Sequence, residues 1–241
     1  MNTVKQDLDA LVPLLEVEAL RRRNSLPAHE VSQISAKAKG IIRRSQFIDF
    51  QFEFLKSVKW SEAYDLGSPQ PSGRLRSTFV YQDCEISLAS LPALLSFVYL
   101  TFDGLVAGCS NMTDGLSRIL NDVYHLGLNP KGVNLFLIER AISKPCAIKN
   151  HLVDPGTLGW LNRIRDLRGR CQHADLESVI VQGKGPIANL PEPFIPAEFR
   201  WDGVLDDESI SSFAAKARDS ANQAVLKIVA LLKTSPSAAI L

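Results

Sequence analysis

Arg168 and His173 stand five positions apart in the stretch Leu167-Arg168-Gly169-Arg170-Cys171-Gln172-His173. These two residue types are sufficient for metal-independent cleavage of RNA. An imidazole takes or returns a proton near neutral pH, because its unperturbed pKa is about 6.5. A guanidinium brings several donors and a permanent charge to a phosphate as negative charge develops during attack. RNA supplies its own nucleophile, the 2'-hydroxyl, so neither a serine nor a cysteine is required. Attack would leave a cyclic phosphate and a free 5'-hydroxyl. Arg165 and Arg170 are the further candidates for holding substrate, and Arg163 extends the same basic patch. Each has a plainer reading: Arg168 in a salt bridge with Asp103, His173 as a helix-end cation, the other arginines as solvated charges.

One helix must position these groups. Asp154 followed by Pro155 reads as an N-cap with proline in the first turn. Leu158, Trp160, Leu161, Ile164, Leu167, Cys171 and Ala174 then recur at helical spacing and mark a buried side. Cys171 on that side is a small packed residue rather than a nucleophile. His173 falls about 145° from the middle of the stripe, near the opposite face, among Asn162, Arg165, Asp166, Gly169 and Gln172. Arg168 and His173 are separated by a rise of about 7.5 Å and an angle of about 140°. Arg168 therefore sits on the shoulder of the stripe, its stem buried and its head curving outward. Gly169 lies between the two around the circumference, and its missing side chain leaves room for a phosphate or a neighbouring subunit.

The segment from Leu167 to His173 resembles the motif of the HEPN superfamily: an arginine, usually a polar residue, variable positions, and a histidine near the end of a bundle helix. It matches the form with four intervening residues, with Gly169 where a polar residue is common. The resemblance implies that Arg168 and His173 are the catalytic pair of an endoribonuclease. It also implies a homodimer in which the motif helices of two subunits approach each other. Members include RNA-cleaving toxins and defence proteins, for which an antitoxin or regulatory protein is a further partner. Other members are noncatalytic modules that bind RNA or protein, which is the alternative reading here.

The rest of the chain reads as an all-α fold, a HEPN-like helical bundle with a small hairpin insertion and a C-terminal helix after a long loop. It is expected to be one helical domain over 1–241, with 1–24 an N-terminal helical extension ending in Arg21, Arg22 and Arg23, and 90–234 the HEPN-like part. A long helix is expected from Pro27 to about Trp60, with Gly40 in its middle admitting a close neighbour. A loop follows over 67–73, then two extended segments that turn at Gln82 and Asp83. Leu94 to Val106 form a central helix. Gly104, Gly108 and Gly115 allow close contacts or breaks, and a separate helix starts at Asn111 to Asp114. A shorter helix carries Val133 to Ala141. Residues 176–205 are a proline- and glycine-rich loop anchored by Phe194, Phe199 and Trp201. The last helix is capped by Asp206 or Asp207, and 235–241 form a tail.

Composition excludes several classes. With 46% hydrophobic residues among 241 the chain can bury a core, and a net charge of +1 gives no bulk attraction for nucleic acid, so any such attraction is local. Cys84, Cys109, Cys146 and Cys171 are scattered, against a thiolate zinc site and in keeping with a reducing, cytoplasmic setting. No signal peptide or membrane span is expected. His29, His125 and His151 lie in different segments without ligand spacing, and Gly183-Lys184-Gly185 lacks the rest of a phosphate loop. No acid pair has the context for glycosidase or two-metal chemistry. No cofactor or metal is expected.

Overall fold

The computed structural model describes residues 13, 28–58, 77–81, 84–88, 91–124, 126–143, 145–173, 193–195 and 208–234. The elements are α1 (Ala28–Ser57), β1 (Ser77–Tyr81), β2 (Cys84–Leu88), α2 (Leu91–Tyr124), α3 (Leu135–Ala141), α4 (Ala147–Leu152), α5 (Pro155–His173), β3 (Phe194–Ile195), β4 (Glu208–Ser209) and α6 (Ile210–Thr234). The fold is all-α, with two short antiparallel pairs as its only sheet structure among the described residues. The expected N-terminal helix with Arg21 to Arg23, the loop over 67–73, Phe199, Trp201 and the tail lie outside the described residues.

The chain divides into two compact units, one of Met1–Gln46, Gly108–Asn162 and Asp219–Leu241, the other of Phe47–Ala107 and Arg163–Arg218. In the first, Ile34, Ala38 and Ile41 of α1 are buried, as are Met112, Leu116, Ile119 and Val123 of α2 and Ala221, Val225 and Ile228 of α6. Polar contacts fix the pairings. Lys37 is paired with Asp122, and the Ser45 hydroxyl donates to Asn222 Oδ1 at 3.0 Å within the interior. Arg44 Nη1 donates to the Asn111 carbonyl at 2.7 Å. After α2, Asn121 holds the connecting loop from both sides: its Nδ2 donates to the Leu128 carbonyl at 3.1 Å, and its Oδ1 accepts from Leu128 N at 3.0 Å. Gly127 takes the turn with φ of 70°, open to glycine at little cost. Asn134 caps α3 by accepting from Leu137 N, and the Cys146 thiol caps α4 by accepting from Lys149 N. The sequence reading did not anticipate α4; at six residues it is too short to show a period.

The second unit holds the hairpin and the end of α5. Strands β1 and β2 pair antiparallel from Ser77↔Leu88 to Tyr81↔Cys84, as the two extended segments suggested; the turn expected at Gln82 and Asp83 lies outside the described residues. Phe54 of α1 meets Phe97 of α2 edge-on at 4.8 Å, and Phe102 meets Phe213 of α6 at 5.8 Å. The Arg218 guanidinium lies 3.9 Å from the Phe52 ring centre and its Nε is 4.0 Å from Asp49 Oδ1. Phe194 pairs with Ser209 and Ile195 with Glu208. This pairing overturns Asp206 and Asp207 as caps: the extended strand runs to Ser209, whose hydroxyl accepts from Ser212 N at 3.2 Å and caps α6 instead.

Residues Asn111 to Asp114 do not start a new helix, because α2 runs unbroken for 34 residues. Its buried positions 94, 98, 102, 105, 109, 112, 116, 119 and 123 keep one 3–4 spacing throughout. The hydroxyls in this stretch bond backward within the helix, Thr113 to the Ser110 carbonyl at 2.8 Å and Ser117 to the Thr113 carbonyl at 2.9 Å. By length and composition α2 could cross a membrane, with a window of mean hydropathy 1.5, and half of that window is buried within the protein. Of the glycines expected to admit a close neighbour, Gly104 and Gly115 do so and Gly40 does not. No atom comes within 4 Å of a Cβ built at Gly40, whereas one at Gly104 would stand 2.2 Å from Gln51 Nε2 and one at Gly115 3.2 Å from Arg44 Nη1. Close helix contact is therefore made at Gly104 and Gly115, not at Gly40. Gly40→Ala should raise the unfolding free energy by about 1 kcal/mol. Gly104→Ala should lower it by about 1–3 kcal/mol, since the buried Gln51 amide must move; urea denaturation of both variants measures the contrast.

Candidate functional site

Burial fixes how α5 is rotated. Leu161, Ile164 and Leu167 are 7%, 1% and 1% exposed, so the stripe read from the sequence faces inward. Gly159, Asn162, Arg165 and Asp166 are exposed, and Arg168 and Gly169 are half-buried. The Arg168 Nε is itself buried, so the side chain passes along the packed surface before its head emerges. Among the described residues, no atom comes within 4 Å of a Cβ built at Gly169. The helix backbone continues through His173. The side chains of Arg170, Cys171 and His173 lie outside what is described.

Arg165 stands on the outward face, as the wheel requires. Arg163 does not extend the surface patch. It is 6% exposed, and its guanidinium lies 5.5 Å from the centre of the Phe213 ring. The signal for this was present: Arg163 is four residues before Leu167, about 40° around the helix, close enough to be drawn inward with its charge over an aromatic face. The salt bridge between Asp103 and Arg168 is not made through Asp103 Oδ1, which is buried with no hydrogen-bond partner among the described residues. Gln51 Oε1 in the same unit is also buried without a partner. These two acceptors leave a polar interior that alternation of apolar residues did not foretell.

The four residues 165, 168, 169 and 173 all belong to the second compact unit, on one continuous helix. That helix supplies an exposed cation, Arg165, a partly buried cation, Arg168, and a glycine about one turn after Arg165. Among the described residues, no group of three or more histidine, cysteine, aspartate or glutamate side chains could hold a metal ion. Comparison with protein-family models, curated proteins and solved structures finds no match to this chain.

His151 lies in the first unit, near the end of α4, and takes no part in this array. Its Nε2 is buried with no hydrogen-bond partner among the described residues. Burial lowers its pKa from the ordinary 6.5, the Lys227 ammonium lowers it further, and Asp154 opposes both. A lowered folded-state pKa means that the unfolded chain binds the proton more tightly. The contribution of neutral His151 to stability is thus complete above the ordinary value of 6.5 and is lost as the pH falls through the lowered one. Thermal melts between neutral and mildly acidic pH should show this loss, and His151→Gln should flatten that part of the profile.

Proposed function

We propose that this protein is a HEPN-like, metal-independent endoribonuclease in which Arg168 and His173 act on an RNA phosphodiester. The observation that supports it most is the open flank of Gly169 directly beside the half-buried Arg168, on a helix whose backbone reaches His173 without interruption. In this reading the imidazole of His173 takes the proton from the 2'-hydroxyl as that oxygen attacks phosphorus. The P–O5' bond breaks, and the departing 5'-oxygen receives a proton from the protonated imidazole form. Arg168 stabilises the charge that gathers on the non-bridging oxygens. A separation of about 7.5 Å and 140° on one helix keeps the two groups from sharing a phosphate by register alone. A second copy meeting the first across α5 would bring each guanidinium to the other's histidine, so the working form is a homodimer. RNA is the substrate and no cofactor is used. A role in defence or as a toxin, with an antitoxin or regulatory protein as partner, follows from the resemblance, and a cytoplasmic setting is the one the scattered cysteines suit.

Purified protein incubated with labelled RNA in excess chelator should yield fragments ending in cyclic phosphate. Arg168→Ala and His173→Ala, each checked for native folding by circular dichroism, should each cut cleavage by about 10²–10⁴-fold. Cleavage that requires added metal, or that survives both substitutions, would overturn the assignment. RNA bound but never cut would point to the noncatalytic module.

A further inference from the structure

We infer that the outward face of α1 is a binding tract for single-stranded RNA, with Lys39 and Arg43 on its phosphates and Phe47 beneath a base. This rests on the reading of RNA as the substrate and adds to it a place where the strand is held. Within about two turns α1 carries Lys37, Lys39, Arg43 and Arg44, and the structure divides them into two pairs. Lys37 is paired with Asp122 and Arg44 Nη1 donates to the Asn111 carbonyl at 2.7 Å, so these two fasten α1 to α2. Lys39 and Arg43 are exposed and make no hydrogen bond or ion pair among the described residues. Two cations thus remain after the packing of the helix is satisfied.

Residues 39, 43 and 47 follow one another at i, i+4 and i+8, each about 6 Å further along α1 and about 40° around it. All belong to one unbroken helix, so this spacing is a property of α1 alone. Phe47 is 56% exposed, and its ring lies nearly parallel to that of Phe50, with centroids 6.4 Å and planes 19° apart. A lone exposed phenylalanine is ordinary on a protein surface. An exposed ring that already ends a stack, one and two turns beyond uncommitted cations, has the parts that hold a single strand: a platform for a base and charges for its backbone. A base laid on Phe47 extends the stack, and the phosphates beside it reach Arg43 and then Lys39.

The charge of this face has one sign. Between Lys37 and Ser57 the helix carries two carboxylates, Asp49 and Glu53. Asp49 stands about 120° around the helix from Arg43, and its Oδ1 is 4.0 Å from Arg218 Nε. Glu53 lies about 15 Å further along than Arg43. The whole chain carries only +1, so attraction for an anion is concentrated here. Positive charge selects an anionic partner and the flat ring selects a planar one, which favours nucleic acid. A lipid surface accepts the same charges but asks for apolar bulk, and this face offers one strongly exposed ring beside the exposed Gln46.

The probe is a short single-stranded 2'-O-methyl RNA, which lacks the attacking hydroxyl, titrated in chelator against the full chain and followed by fluorescence anisotropy. Phe47→Ala should weaken binding about tenfold, the scale of one base stacked on an aromatic ring, and leave the salt dependence unchanged. Lys39→Ala and Arg43→Ala should each make the dependence of log K on log salt shallower by about 0.7. Phe47→Trp should keep the affinity, whereas Phe47→Leu, with apolar bulk but no aromatic face, should lose it. Should Phe47→Ala melt below the parent, the contrast between Phe47→Trp and Phe47→Leu decides. A parent that does not bind the probe, Phe47→Leu binding as well as Phe47→Trp, or an unchanged salt slope in Arg43→Ala would overturn the tract. Vesicles of mixed phosphatidylserine and phosphatidylcholine supply the lipid arm: sedimentation with them that Phe47→Leu preserves, without binding of the RNA probe, assigns the face to a membrane and overturns the tract. Cleavage of ordinary RNA tests the ribonuclease assignment separately. Cleavage lost in His173→Ala, with the probe bound equally by the parent and Phe47→Ala, removes the tract alone. A parent that binds the probe through Phe47 and Arg43 but cuts no RNA keeps the tract and removes the ribonuclease.

Discussion

The burial of Leu161, Ile164 and Leu167 governs what α5 can do. Three apolar side chains at helical spacing allow one rotation of the helix about its axis, and any other would expose them at about 1.5–3 kcal/mol each. That rotation turns Asn162, Arg165 and Asp166 to the surface and leaves Arg168 and Gly169 at the boundary. The outward placement of a cation and a gap is thus a by-product of core packing. No residue need be strained to achieve it.

The same core logic explains which parts of the chain could be read in advance. The inward stripe of α5, the long α1 and the pairing of β1 with β2 were legible because each depends on local spacing. Where the sequence misled, a residue's partner lay far away in the chain. Gly104 and Gly115 left a close contact or a break open, and the close contact that each makes depends on a side chain from α1, Gln51 in one case and Arg44 in the other. Asn111 to Asp114 looked like the start of a helix, and the hydroxyls of Thr113 and Ser117 instead return to carbonyls one turn back in a continuous α2. Ser209 was passed over for Asp206 and Asp207 because the strand that pairs it with Phe194 is two residues long and flanked by prolines.

The candidate site was legible to a similar degree and for a similar reason. The outward direction of Arg165 and the vacancy beside Gly169 follow from a helical wheel, since both are properties of one helix. The inward course of Arg163 depends on Phe213, which α6 supplies from fifty positions later in the chain. A basic cluster on paper therefore becomes two populations in space. One part neutralises the cost of a buried charge by lying over an aromatic ring, and the other remains available to solvent and ligand.

The buried hydrogen bond from Ser45 to Asn222 spans 177 positions of the chain. While a ribosome is still elongating, α1 has emerged long before Asn222 has been made, and Ser45 must remain hydrated in the meantime. Cotranslational assembly therefore cannot close this part of the interior until α6 has emerged. The high sequence separation makes that docking slow compared with formation of the individual helices.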